Sequence, residues 1–182
     1  MKCPLSTEGL LTHKFPFQNS DLIITWITKD HGRIKTIAKG ALRPGSPYQG
    51  RLDLYYRCEI QFISKVKSEI DTLKEIELKT AYLGIRRDYK ILQVLHYFSE
   101  IIESLTEPRT PIELYYDLFY KALHYLNEKE LRSELIQRFE KKALHLSGIA
   151  IDSPLPIHRI LEANGYRVPM SYSKIQKLHF SS

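Results

Sequence analysis

Leu22-Ile23-Ile24-Thr25-Trp26-Ile27-Thr28-Lys29-Asp30-His31-Gly32-Arg33-Ile34-Lys35-Thr36-Ile37-Ala38-Lys39 decides how the N-terminal third of the chain is read. Its first seven residues are aliphatic, β-branched or aromatic, the composition of a strand. Gly32 supplies the positive-φ position a hairpin turn needs. Beyond the turn, a period of two puts Arg33, Lys35, Ile37 and Lys39 on one face and Ile34, Thr36 and Ala38 on the other. Cations at alternate positions of a strand stand about 7 Å apart, a stripe that suits a polyanion.

Further strands are expected on both sides of this hairpin. Leu10–Phe15 reads as an earlier strand. Leu54, Tyr56, Cys58, Ile60 and Phe62 alternate with Tyr55, Arg57, Glu59 and Gln61, and a last strand is expected near Ser64–Ile70. Between them Gly40–Gly50 holds three glycines and two prolines, which exclude regular structure. Five short strands with a basic face point to an OB-type barrel, with an SH3-like barrel as the nearest alternative. Cys58 falls on the apolar face, a position for core packing.

From Asp71 the spacing of Leu73, Ile76, Thr80 and Leu83 predicts a helix, with Glu69, Asp71, Glu75 and Glu77 as acidic complements to its start. Asp88 is placed to cap a second helix bearing Ile91, Leu95, Phe98 and Ile102. Thr110-Pro111-Ile112-Glu113 has the form of a helix start and leads into Leu114, Leu118, Ala122 and Leu126. A further helix carries Leu131, Leu135, Phe139 and Ala143 up to Gly148, and a short one spans 157–164. The chain thus divides into a basic barrel over 1–70, a helical domain over 71–168 and a polar tail over 169–182. The fold class is α+β in two domains.

Charge follows the same division. Residues 1–67 hold eleven of the 27 Lys and Arg but five of the 21 Asp and Glu, so the whole net charge of +6 lies there. A basic module joined to a neutral one points to a nucleic-acid-binding protein. Lys35, Lys39, Arg43 and Arg51 are the expected phosphate contacts, Arg33 and Arg57 secondary ones, and Tyr48 the expected stacking ring. Two widely separated cysteines form neither a disulfide framework nor a zinc motif. No P-loop, nucleophile elbow or paired metal-ligand spacing occurs, so neither catalysis nor a cofactor is expected. No apolar run approaches a membrane span, no signal core follows Met1, and a cytoplasmic protein is expected.

Several strings resemble the RecO family of bacterial DNA repair proteins. They are Ser20-Asp21-Leu22-Ile23, Thr28 through Arg33, Ala38-Lys39-Gly40-Ala41, and Ser46 with Gly50 and Leu52. Further along come Thr106-Glu107-Pro108, Leu114 through Leu118 with Ala122-Leu123, and Leu135 through Glu140 with Leu144 and Gly148. The resemblance spans roughly residues 8–165. It implies an OB fold followed by a helical domain, and binding of single- and double-stranded DNA without catalysis. It also implies annealing of complementary strands and assistance to recombinase loading. RecR and the acidic, apolar C-terminal tail of single-strand-binding protein are the implied partners. For that tail, Arg132, Arg138, Lys141 and Lys142 are candidate rim residues of a helical groove. Many members carry a four-cysteine zinc module, whereas no cysteine follows Cys58 here, so zinc is not expected. The chain is short relative to the family, so a reduced helical domain is expected. An RNA-binding OB protein, a nuclease and a pure adaptor are the competing readings.

Overall fold

The computed structural model describes residues 3–65, 68–149 and 155–178. Five strands form the first part: β1 (Leu5–Phe17), β2 (Asp21–Thr28), β3 (Gly32–Ala38), β4 (Arg57–Ile63) and β5 (Ile70–Thr80). They close into a barrel in the order β1-β2-β3-β5-β4. The β3–β5 pair is parallel and the other four pairs are antiparallel. This is the OB arrangement.

The hairpin forms as its residues dictate. Gly32 takes φ 66°, and the Thr28 hydroxyl donates to the Gly32 carbonyl at 2.7 Å while accepting from the His31 amide. Ile34, Thr36 and Ala38 point inward, and Lys35 is exposed. Leu11, Ile24, Trp26, Ile34, Ile60 and Phe62 fill the barrel. The Trp26 indole N–H donates to Thr36 Oγ1 at 2.9 Å, so its one polar atom is satisfied in the core. Truncating a buried aromatic of this kind costs about 3–5 kcal/mol. Cys58 lies in the same core, where burial pushes its thiol up to about 12. It is a packing residue, as its place in the alternation predicts.

The fifth strand departs from the sequence reading. Strand β5 runs over 70–80, where a helix was expected from 71. The helical spacing arose from a β-bulge. Leu73 pairs with Phe62 and Glu75 with Gln61, so Lys74 is an extra residue in the ladder. Burial therefore steps from Asp71 and Leu73 to Ile76, which imitates a turn of helix. The acidic residues do not complement a helix start. Glu77 lies beside Glu59 in the ladder, and Asp71 is fully buried.

Asp71 explains a second departure. Pro108–Glu113 belongs to the compact unit of the barrel, which otherwise runs up to Ala81. Pro108 bridges Arg33, and the Arg109 amide donates to the Arg33 carbonyl. The Arg109 guanidinium then reaches the buried Asp71 carboxylate at 3.0 Å and the Ser68 carbonyl at 3.2 Å. This strap passes so close to the hairpin that a Cβ on Gly32 would lie 2.0 Å from the Thr110 carbonyl oxygen. Thr110 therefore lies on the barrel, and the helix expected from it begins only at Glu113.

The second unit comprises Tyr82–Glu107 and Leu114–Ser182. A 3-10 turn (Leu83–Arg87) precedes α1 (Tyr89–Leu105), α2 (Glu113–Glu128, all but its first residue in this unit), α3 (Ser133–Leu146), α4 (Ile157–Ala163) and α5 (Tyr172–Gln176). Asp88 caps α1 as expected, accepting from the Lys90 amide at 2.8 Å. The Arg87 guanidinium donates to the carbonyls of Leu126 and Asn127, supplying partners to the open C-terminal turn of α2. Phe98 of α1 stacks on Phe139 of α3 with ring centroids 3.7 Å apart. The expected loose tail contains α5, anchored by Ile175 and by Ser171, whose amide donates to Glu100 at 2.9 Å. Among the described residues no helix is long and apolar enough to cross a membrane.

Candidate nucleic-acid interface and helical groove

On the barrel, strand alternation turns the sequence stripe into a surface. Lys35 projects outward from β3, and Lys39 follows the strand end; both are exposed and carry no ion pair among the described residues. The connection from Gly40 to Tyr56 is a chain of tight turns, closed by amide-to-carbonyl bonds from Arg43 to Gly40, Ser46 to Arg43 and Gln49 to Ser46. These turns hold Arg43 against the β1–β2 turn, where its Nε donates to Ser20 Oγ at 3.1 Å. Gly40, at φ 67°, places its amide on the Asp21 carboxylate at 2.8 Å. Arg51 is exposed and lends one nitrogen to the Ile76 carbonyl at 3.3 Å. Thus Lys35, Lys39, Arg43 and Arg51 all stand on β3 or the connection that follows it.

Three other expected residues are placed differently. Tyr48 is 8% exposed within the barrel core, and its hydroxyl donates to the Leu73 carbonyl at 3.2 Å. Burial raises its pKa. A ring enclosed in this way has no face left for a base, so Tyr48 is a core residue and not a stacking platform. Arg57 bonds Glu8 at 3.4 Å and Thr80 at 3.3 Å, joining β1 and β5 across β4. That occupation ties it to barrel closure. Arg33 lies under the Pro108–Arg109 strap through its backbone.

The barrel also segregates charge. Glu8, Glu59 and Glu77 stand side by side across β1, β4 and β5. Like charges at adjacent positions repel, and Arg57 and Lys79 offset them, the latter at 2.8 Å from Glu77. The exposed Lys35 of β3 and the acidic row of β1, β4 and β5 therefore occupy different strands of the barrel's outer surface, with Arg51 reaching the β5 backbone between them.

The helical unit contains a groove of about 640 Å³ between α2 and α3. Leu118, Ala122, Leu135 and Phe139 supply its apolar surface; Lys121, Arg132, Arg138 and Lys142 supply cations, with Glu134 among them. Of the four expected rim residues, Arg132, Arg138 and Lys142 line the groove and Lys141 does not. Neither Lys121 nor Tyr125 was among the expected rim residues, although both line the groove. Their signal was present, since Leu118, Lys121, Ala122 and Tyr125 recur at i, i+3, i+4 and i+7 along one helical face.

Comparison with known proteins converges on one lineage. Residues 1–82 match the family model "Recombination protein O N terminal", and residues 86–153 match "Recombination protein O C terminal". The chain belongs to the recombination protein O (RecO) family. The boundary between the two RecO models falls where the barrel unit gives way to the helical unit, at Ala81 and Tyr82. Relatives named DNA repair protein RecO include that of Rhodopirellula baltica, 31% identical over 132 residues, 72% of this chain and 49% of the relative. That of Symbiobacterium thermophilum is 26% identical over 144 residues, 79% of this chain and 56% of the relative. That of Moorella thermoacetica is 28% identical over 161 residues, 87% of this chain and 59% of the relative. The chain thus spans about half to three-fifths of the length of these RecO relatives. Among the described residues no group of three or more His, Cys, Asp and Glu side chains gathers as a metal site.

Proposed function

We propose that this chain is a non-enzymatic, cytoplasmic mediator of recombinational DNA repair. It binds single- and double-stranded DNA through Lys35, Lys39, Arg43 and Arg51, anneals complementary strands and assists recombinase loading. RecR and the acidic tail of single-strand-binding protein are its partners. The observation that carries this reading is the exposed Lys35 and Lys39 at β3 with Arg43 in the connection that follows, on other strands than the Glu8–Glu59–Glu77 row. Cations facing phosphates release condensed counterions, and that release drives binding without reference to sequence. Annealing follows because a surface that neutralises two strands removes the repulsion that keeps them apart. The α2–α3 groove suits the acidic tail, with apolar side chains entering between Leu118 and Leu135 and carboxylates meeting Arg132, Arg138, Lys121 and Lys142.

The test is a strand-annealing assay with complementary oligonucleotides, with and without single-strand-binding protein, across a salt series. Annealing that rises with protein, falls with salt and is lost in a Lys35→Glu/Lys39→Glu double variant supports the proposal. Annealing untouched by that double variant contradicts it.

A further inference from the structure

The outer surface of β1 carries a feature that charge does not explain. A bulge at Thr12 resets the alternation, since Leu11 pairs with Trp26 but His13 with Thr25. From there His13, Phe15 and Phe17 share one outward face. Phe15 is 56% exposed and Phe17 38%. The His13 and Phe15 rings lie nearly parallel, 8° apart, with centroids separated by 6.1 Å. Two phenylalanines left in water on the same strand of a well-filled barrel are not needed by its core.

Register sets what stands beside them. Phe15 lies opposite Ile23, and Ile23 opposite Ile37; His13 lies opposite Thr25, and Thr25 opposite Lys35. An apolar row therefore crosses β1, β2 and β3, and the neighbouring row ends on an exposed lysine about two strand spacings, or ~10 Å, from β1. Phe17 lies opposite Asp21, beside the turn at which Arg43 bonds Ser20. Rings are thus flanked by cations at both ends of the patch. Phe15 and Phe17 are two residues apart on one face, a separation of about 7 Å. That leaves room for two successive bases, each on its own ring.

We infer that His13, Phe15 and Phe17 form a base-stacking platform for single-stranded DNA, with Lys35 and Arg43 taking the flanking phosphates. The inference rests on the DNA-binding reading above and deepens it by naming the substrate form. Duplex DNA hides the faces of its bases, so the platform engages unpaired strands and leaves duplexes to the cations alone. Stacking on an aromatic ring is indifferent to sequence because every base has a π face. The acidic row of Glu8, Glu59 and Glu77 disfavours a path over β4 and β5.

The experiment measures affinities of the chain and its variants for a fluorescent oligo-dT and for a matched duplex at one low salt concentration. Phe15→Ala should weaken oligo-dT binding five- to fiftyfold and duplex binding less than twofold. The salt slope for oligo-dT should stay unchanged, because no cation is removed. Phe15→Trp should restore oligo-dT affinity, with emission quenched by oligo-dT and not by duplex. An unchanged oligo-dT affinity in Phe15→Ala, or an equal loss for strand and duplex, overturns the platform. Wild-type chain that binds neither DNA at low salt overturns the DNA-binding reading itself, a different result from loss of the strand preference alone.

Discussion

The barrel and the helical unit solve the same physical problem differently. The barrel buries Leu11, Trp26, Ile34, Ile60 and Phe62 in its core, and what it offers outside is the cations of β3 and the following connection beside the Phe15–Phe17 patch of β1. The helical unit buries Phe98 on Phe139 yet leaves an apolar trough between α2 and α3 with cations at its edge. On the barrel, phosphate neutralisation sets the salt dependence, since stacking on Phe15 removes no counterion, whereas the open groove binds mainly through apolar burial. Partners of the barrel should therefore be released by salt, and partners of the groove should hold on longer.

The largest expected effect concerns the strap that belongs to the barrel. Arg109→Ala leaves the fully buried Asp71 without its counter-charge. The cost should be about 3 kcal/mol, the low end for breaking a buried pair because the guanidinium is 37% exposed. Urea unfolding measures it, and restoration of stability by a second change, Asp71→Asn, would show that the orphaned carboxylate is the cause. Next comes the cationic face. Lys35→Glu with Lys39→Glu should reduce DNA affinity at least tenfold. On single strands the salt slope should fall by about 0.7 for each phosphate no longer neutralised. Equilibrium titration at several salt concentrations measures both, and binding of an acidic, apolar peptide should barely change. The reciprocal pair, Arg138→Glu with Lys142→Glu, should weaken that peptide three- to tenfold while shifting DNA affinity less than twofold.

The smallest effect is a pH dependence inside the helical unit. Burial holds Glu140 above the usual carboxylate range, although the Tyr97 hydroxyl, donating at 2.6 Å, pulls it down. A carboxyl raised on folding binds protons more readily in the folded state. Its contribution to stability is full below the unfolded value near 4.3 and is lost as pH rises through the folded one. Glu140→Gln keeps a partner for Tyr97 and removes the titration. The variant should gain stability relative to the parent at pH 7, and the gap should close as pH falls toward 4. Thermal melts at stepped pH measure it.

Much of the barrel was legible because period-two alternation is local. The Gly32 turn, the inward Ile34, Thr36 and Ala38, and the outward Lys35 all follow from neighbours in sequence. Strand β5 was not, because one bulged residue, Lys74, turned a period of two into an apparent helix. Tyr48 was misread for another local reason. A loop composition says that no regular element forms, but not that the chain folds back to put this ring in the core. The Arg109–Asp71 pair joins residues 38 apart and has no local signature. In the groove, Arg132, Arg138 and Lys142 were found from one helix, whereas Lys121 needed the facing helix as well.

One measurement bears on the division of labour most directly: the salt dependence of two binding reactions of the same chain. Affinity for oligo-dT and for an acidic, apolar peptide would be followed from about 50 to 300 mM salt. Neutralising about four phosphates predicts a logarithmic slope near −3 for the single strand, with a slope less than half as steep for the peptide. Equal slopes, or competition between the two ligands, would contradict the separation of a charged barrel surface from an apolar helical groove.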